Sequence, residues 1–216
     1  MRLILVRHGE TPSNVMGALD TARPGATLTA LGHRQAAAIP PVLSDQPVAA
    51  VHASPLVRTQ LTAAPLAAAL GLEVRVTEGL EEISAGALEM HTSAASIDAY
   101  ADTVAAWIAG DLDATMPGGG DGHAFVARFD GAVRALSSGH AENATVVAFS
   151  HGAAIRTFAA RHGGPRDGRL LNTGAVVLDG APTGRWTVTH WSRDPLGGSH
   201  LADDIAIDPT GDPDPV

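Results

Sequence analysis

The sequence predicts an α/β protein, a three-layer α/β/α sandwich built around a mostly parallel sheet. Short runs of β-branched and aliphatic residues alternate with alanine-rich segments that are long enough to form helices. Several of these runs also end in residues suited to ligand binding, as expected where parallel strands share one carboxyl edge. The 216 residues are enough to bury a full-sized core.

Six short runs have the composition of strands. The four clearest are Leu3–Val6, Val48–Val51, Val74–Val76 and Val146–Phe149. Two later runs, Val176–Leu178 and Thr187–Trp191, are predicted as further strands at an edge of the sheet.

Five alanine-rich segments are predicted to form the helices. The first follows Thr29, whose side chain can cap it, and the Pro40-Pro41 pair is expected to limit or kink its end. The second runs from Arg58 to Leu70, with Gly71 as its C-terminal stop. The other three are Ser93–Ile108, Gly122–Leu136 and Ala153–Arg161.

We expect one domain over residues 1–193, followed by a C-terminal tail over residues 194–216. The tail is acidic and rich in Asp, Pro and Gly, so much of it is expected to be irregular or mobile.

Composition excludes several classes of function. A net charge of −9 disfavours a nucleic-acid-binding face. All 14 basic residues are arginine, which removes Schiff-base chemistry and the lysine of a Walker phosphate loop. The absence of cysteine removes disulfides and thiolate chemistry. Anion binding must therefore use arginine, histidine, amides or backbone N–H groups.

We expect neither a membrane-spanning helix nor an export signal from this sequence. No run approaches the ~18 apolar residues of a membrane helix. Leu3–Val6 is too short for the apolar part of a signal peptide, and Arg7 closes it. We therefore expect a cytoplasmic protein without a membrane partner.

Three predicted strands end in residues typical of an anion site. The first ends in Arg7-His8-Gly9, with Asn14 just beyond, the second leads to Arg58, and a later one ends in Ser150-His151-Gly152. Because these ends share one rim of the sheet, the side chains are expected to converge there. Gly152 permits close approach, and the helix after His151 is expected to offer free N–H groups to an anion.

At these residues the chain resembles a known family. LVRHGET (Leu5–Thr11) is similar to the signature of the histidine phosphatase superfamily, which includes the cofactor-dependent phosphoglycerate mutases. Five further elements resemble the family's motifs in the same order: LTALGHRQA (Leu28–Ala36), ASPLVRTQLTA (Ala53–Ala63), LEEISAGALE (Leu80–Glu89), FSHGAAIR (Phe149–Arg156) and LLNTGAVVL (Leu170–Leu178). The resemblance implies a phosphoglycerate mutase-like fold and, since family members are often dimers, a homodimer.

The resemblance also implies the roles of the phosphate-binding residues. His8 is the implied nucleophile, which forms a phosphohistidine. Arg7 and Arg58 would hold the phosphoryl oxygens, Asn14 would add an amide donor, and His151 would add a cationic donor. Because the arginines supply the charge that magnesium would otherwise supply, and no HExxH spacing occurs, neither a metal nor a cofactor is expected.

Glu82 is the implied general acid and, later, the base that activates water. Ile83, Gly86 and Glu89 follow it at the family's spacing, whereas Glu81 lacks that spacing. A solvated acidic turn remains the alternative for this stretch.

The resemblance leaves the overall reaction open. We expect a phosphatase that acts on a small phosphorylated metabolite, with a phosphoglycerate mutase or a catalytically weak phosphate-binding regulatory module as alternatives. The segment 91–121 lacks Arg and Lys and carries five aspartates, Asp98, Asp102, Asp111, Asp113 and Asp121. Such an acidic lid should repel phosphoglycerate, which favours the phosphatase.

Two stretches depart from the family pattern near the substrate side, Leu88–Met90 and Pro117–Asp121.

Overall fold

The protein contains a six-stranded sheet with helices on both faces. The computed structural model describes residues 1–181, 185–203 and 209–211. The strands are β1 (Arg2–Arg7), β2 (Val48–Ala53), β3 (Val74–Val76), β4 (Thr145–Ser150), β5 (Ala175–Gly180) and β6 (Trp186–Ser192). The helices are α1 (Pro12–Met16), α2 (Ala30–Ala37), α3 (Pro40–Leu43), α4 (Val57–Leu70), α5 (Ala94–Ala109), α6 (Gly122–Ser137) and α7 (Gly152–Ala160). Short 3₁₀ turns occupy Gly86–Leu88 and Ser199–Leu201.

The strand order is β3-β2-β4-β1-β5-β6, with β1 and β4 at the centre. The pairs β3-β2, β2-β4 and β4-β1 are parallel. The pairs β1-β5 and β5-β6 are antiparallel. The predicted mostly parallel sheet is therefore confirmed.

Alternation along β1 separates the two apolar layers. Leu3 and Leu5 point into the cluster that contains the buried faces of α5, α6 and α7. Ile4 and Val6 point the other way, into the cluster formed with α3 and α4. Since successive side chains of a strand face opposite sides, one strand supplies both cores, and the three-layer architecture is confirmed.

The segment 91–121 contributes to the core and is not a separate acidic lid. The α5 side chains Ile97, Tyr100 and Trp107 are buried, whereas Asp98 and Asp102 are exposed. Asp111 and Asp113 are exposed in the loop that follows, and Asp121 caps α6. Amphipathic packing therefore places Asp98 and Asp102 on the exposed face of α5, and the expected repulsion of phosphoglycerate by this segment stays a prediction.

Two local features differ from the sequence-based expectation. Thr11 caps the short helix α1, which the sequence pattern did not reveal. The Pro40-Pro41 pair does not kink α2, which ends at Ala37, but begins the separate helix α3, because proline is well tolerated in a first helical turn. Gly71 ends α4 in the left-handed conformation, as expected.

The described parts of the C-terminal segment pack against the domain. Leu201 is buried, and its carbonyl accepts a hydrogen bond from Gln35 Nε2 at 2.8 Å. Thr210 is also buried and lies beside Arg7. The remainder of the predicted tail, residues 204–208 and 212–216, lies outside the described residues, so its irregular character stays a prediction. Across the described ranges, no helix is both long enough and apolar enough to cross a membrane.

Candidate active site

The two histidines of the predicted site leave adjacent strands at the same level. Arg7 at the end of β1 is the register partner of Ser150 at the end of β4, and the His8 N–H donates to the Ser150 carbonyl at 3.0 Å. The next residues, His8 and His151, therefore meet, with ring centroids 5.3 Å apart and ring planes at 61°.

A hydrogen bond to the backbone fixes the tautomer of His8. Its Nδ1 lies 2.7 Å from the Gly9 carbonyl oxygen. Because a carbonyl can only accept, Nδ1 carries the proton and Nε2 keeps its lone pair. Burial, with the charges of Arg58 and Arg7, lowers the pKa of His8 well below its ordinary value of 6.5. His8 is therefore a neutral ring with Nε2 available as a nucleophile at neutral pH.

The backbone around His8 is held from two other segments. Asn172 Nδ2 donates to the His8 carbonyl at 3.1 Å, and the Thr173 N–H donates to the same oxygen at 3.2 Å. On the other side, the Gly9 N–H donates to Thr62 Oγ1 of α4 at 2.9 Å. These contacts fix the loop that carries the ring.

Both predicted arginines are buried beside the histidines. Arg7 donates to the Leu170 carbonyl at 2.8 Å and to Thr210 Oγ1 at 3.2 Å. Arg58, in the first turn of α4, is 3% exposed and donates from Nη2 to the Asp20 carbonyl at 2.8 Å. Its Nε and Nη1 are buried without a hydrogen-bond partner among the described residues, with the Asp20 carboxylate 3.7 Å from Nη1. Arg58 thus presents donors suited to an anion.

His151 is held by a serine rather than by an acid. Its Nε2 lies 2.7 Å from Ser54 Oγ, while Nδ1 is buried without a hydrogen-bond partner among the described residues. Burial, followed by the charge of Arg58, lowers the pKa of His151 well below 6.5. Burial therefore disfavours a cationic His151 in the free protein, and its expected role as a cationic donor to a phosphoryl group stays a prediction.

The carboxylate of Glu82 sits on the N-terminus of α7. Oε1 accepts from the N–H groups of Ile83 and Ala154, both at 2.8 Å, and Oε2 accepts from the Ala153 N–H at 3.2 Å. Burial raises the pKa of Glu82 above its ordinary value, against the opposing effect of these N–H groups and of Arg58. A raised pKa suits a group that must donate a proton near neutral pH.

The same geometry corrects one expectation about α7. The N–H groups of Ala153 and Ala154 are used by Glu82, so they are not free for a ligand anion as the sequence suggested.

Gly152 has a packing role in the structure. A Cβ at this position would lie 2.5 Å from the Thr210 carbonyl oxygen and 3.0 Å from Arg7 Nε. No side chain fits between these atoms without displacing them. Its predicted contact with phosphate stays a prediction.

Asn14 lies in α1 rather than in a loop. Its Oδ1 accepts from the Thr11 N–H at 3.0 Å, which completes a capping box, and lies 3.4 Å from Asn172 Nδ2. Asn172 also contacts the His8 carbonyl, so Asn14 is linked to the histidine loop through one side chain.

Sequence reasoning missed several supporting residues: Asp20, Ser54, Thr62, Arg128 and Asn172. Ser54, Thr62 and Asn172 lie inside the recognised motifs, and their position there was the available signal. Asp20 and Arg128 approach from segments with no local pattern that marks them.

A cavity of about 360 Å³ opens beside Glu82, and we refer to it as the Glu82 cavity. It is lined by Thr21, Ala22, Arg23, Glu81, Glu82, Ile83, Ser84, Trp107, Gly120, Asp121, Ala124, Phe125 and Arg128. Among the described residues, no cluster of three or more His, Asp or Glu side chains has a geometry that could hold a metal ion.

Comparison with known proteins identifies one family. Residues 3–194 match the profile of the Histidine phosphatase superfamily (branch 1). A PE-PGRS family protein of Mycobacterium tuberculosis is 38% identical over 224 aligned residues, which cover 94% of this chain. The chain spans 38% of the length of that relative.

Two solved structures share the fold over nearly their whole length. A mycobacterial glucosyl-3-phosphoglycerate phosphatase in complex with VO3 is 30% identical, with a TM-score of 0.73 over 89% of this chain and 99% of that chain. The alpha-ribazole phosphatase from Shigella flexneri is 28% identical, with a TM-score of 0.69 over 92% of this chain and 98% of that chain.

Proposed function

Because the chain belongs to the histidine phosphatase superfamily, we propose that it is a metal-independent phosphatase that hydrolyses a small phosphomonoester through a phosphohistidine on His8. The observation that carries the proposal is geometric. The rings of His8 and His151 lie 5.3 Å apart, Arg7 and Arg58 are buried beside them, and Glu82 accepts from the first turn of the helix that follows His151. The five side chains therefore form one interacting group at the edge of the sheet.

In the first step, Nε2 of His8 attacks phosphorus while the bond from phosphorus to the substrate's alkoxide oxygen breaks. The Gly9 carbonyl keeps the proton on Nδ1 and so supports the positive charge that develops on the ring. Glu82 gives its proton to the leaving oxygen, so a neutral alcohol departs and Glu82 becomes a carboxylate.

The charge of the transferring phosphoryl group is met by fixed donors. Arg7 and Arg58 supply two guanidinium groups, and Asn14, His151 and the Gly152 N–H add further hydrogen bonds. Donors arranged in advance in this way contribute roughly 3–4 kcal/mol each to transition-state stabilisation. Two guanidinium groups supply the positive charge that a metal supplies in other phosphoryl-transfer sites.

In the second step, the Glu82 carboxylate takes a proton from water as the water oxygen attacks phosphorus. The bond between phosphorus and Nε2 of His8 breaks, and inorganic phosphate leaves. Glu82 is again protonated and His8 again neutral, so the cycle closes.

An assay with p-nitrophenyl phosphate and a panel of small phosphomonoesters, with a chelator present, tests the proposal. We expect phosphate release by the wild type and none above background by His8→Ala. Equal rates for both proteins would contradict the proposal, as would dependence on added metal. Isomerisation of 3-phosphoglycerate faster than phosphate release would favour the mutase, and phosphate binding without turnover would favour the regulatory module.

Three related expectations also stay predictions. They are the cytoplasmic location, the absence of a nucleic-acid partner and the homodimer. The names of the similar phosphatases specify different substrates, so they support a phosphorylated small molecule without selecting one.

A further inference from the structure

The Glu82 cavity adjoins the proposed proton donor. Glu82, which would give its proton to the leaving alcohol, forms part of the cavity wall, so this cavity is the candidate location of the alcohol portion of a substrate. Its volume of about 360 Å³ is near the lower end of the ~300–1,000 Å³ typical of ligand pockets. Trp107 and Phe125, stacked with ring centroids 5.9 Å apart, give the cavity an aromatic lining.

Both arginines that line the cavity are bound to one carboxylate. Arg128 Nη1 donates to Glu81 Oε2 at 3.2 Å, and Arg23 Nη2 is paired with Glu81 Oε1. Arg23 is also paired with Glu78 on its outer side. Glu81 therefore bridges the two cations.

Arg128 is further occupied by the backbone of the same loop. It donates to the carbonyl oxygens of Gly79 at 3.1 Å, Glu81 at 2.9 Å and Glu82 at 3.0 Å. Its guanidinium carbon also lies 5.4 Å from the centre of the Phe125 ring. These contacts direct its donors to the protein.

The remaining charged groups in the lining are acidic. Asp121 and Glu82 join Glu81, so three carboxyl groups accompany the two paired arginines in the described lining. A second anionic group on the substrate would lose its hydration here and meet no uncommitted guanidinium in that lining, which is unfavourable. An uncharged alcohol avoids that cost and can pack against the aromatic wall.

We propose that the alcohol portion of the substrate is uncharged and partly apolar, and that Glu81 determines this preference by neutralising Arg23 and Arg128. The inference rests on the proposed phosphatase function and adds the class of its substrate. It assigns a role to Glu81, which the proposed chemistry does not use.

A matched pair of substrates tests the inference. Glycerol 3-phosphate and 3-phosphoglycerate share a three-carbon skeleton and differ in a hydroxymethyl or a carboxylate group. We expect the wild type to favour glycerol 3-phosphate in kcat/KM by at least about tenfold. In Glu81→Gln, which removes the negative charge that both arginines share, this ratio should fall by at least about fivefold. Asp102→Asn, which removes one exposed negative charge from α5, should leave the ratio unchanged.

The controls separate the two levels of the proposal. If His8-dependent hydrolysis of p-nitrophenyl phosphate occurs but the wild type favours 3-phosphoglycerate, or folded Glu81→Gln keeps the wild-type ratio, the inference is overturned and the phosphatase stands. If no substrate shows His8-dependent hydrolysis, both fail. If Glu81→Gln does not fold, Arg23→Gln replaces it. Because this substitution removes a cation from the cavity, the preference for glycerol 3-phosphate over 3-phosphoglycerate should stay the same or rise. A fall in that preference would overturn the inference.

Discussion

The rings of His8 and His151 meet edge to face with their centroids 5.3 Å apart. The contact follows from the sheet, because Arg7 and Ser150 are paired in adjacent parallel strands and each histidine is the next residue. Burial and two nearby arginines keep both rings neutral, with pKa values well below 6.5. The site therefore places two neutral histidines among fixed positive charges, which suits a dianionic ligand.

We expect the free energy of unfolding to fall as the pH drops below 6.5. In the folded protein His8 and His151 resist protonation, whereas in the unfolded chain they bind protons near pH 6.5, so acid favours unfolding. Each ring can contribute up to about 1.4 kcal/mol per pH unit. Urea unfolding over this pH range measures the fall. A double variant, His8→Gln with His151→Gln, should show a smaller fall, and an equal fall would contradict the lowered pKa values.

Glu82→Gln should separate the two chemical steps. The p-nitrophenolate group leaves without protonation, so we expect the variant to transfer one phosphoryl group to His8 and then to release phosphate slowly. Stopped-flow absorbance should show a burst of about one product per site, followed by a steady rate roughly 10²–10⁴-fold below that of the wild type. With an alkyl phosphate, no burst is expected. A full steady-state rate with both substrates would rule out Glu82 as the acid and base.

Ser54→Ala should lower activity through His151. Ser54 Oγ lies 2.7 Å from His151 Nε2, so its loss leaves a buried ring nitrogen without that partner and costs about 1–3 kcal/mol. We expect kcat/KM to fall by about tenfold or more and the affinity for phosphate to weaken. Ser137→Ala is the matched control, since Ser137 Oγ is buried without a hydrogen-bond partner among the described residues. Equal effects of the two substitutions would contradict the assignment.

Gly152→Ala should impair both folding and phosphate binding. The added Cβ would lie 2.5 Å from the Thr210 carbonyl oxygen and 3.0 Å from Arg7 Nε. The backbone at Thr210 or the guanidinium group of Arg7 must therefore move. We expect a loss of roughly 1–3 kcal/mol in stability and weaker phosphate affinity. Gly131→Ala provides the comparison within α6, where a Cβ meets nothing within 4 Å and should stabilise the helix by up to about 1 kcal/mol. Thermal unfolding with and without phosphate distinguishes them, and a stabilised Gly152→Ala protein would be contrary to the packing described.

Patterns local in the sequence predicted most of the fold. Alternation in β1, the glycine that ends α4 and the polar residues after β1 and β4 each depend on neighbours along the chain, so the layers and the two histidines were predictable. The hydrogen bonds between Glu82 and the N-terminus of α7 were not predictable. They join Glu82 to Ala153 and Ala154, which follow it by 71 and 72 positions in the sequence. The same holds for the contact of Thr210 with Arg7 and for the neutral state of His151, which depends on burial by distant segments.

The central claim is that His8 carries the phosphoryl group during turnover. Rapid acid-free quenching of the enzyme with a labelled phosphomonoester, followed by peptide mass spectrometry, tests it most directly. We predict one acid-labile, base-stable phosphoryl group on His8, formed and discharged at rates that account for turnover and absent from His8→Ala. Turnover without a phosphorylated enzyme, or a phosphoryl group on another residue, would contradict the account.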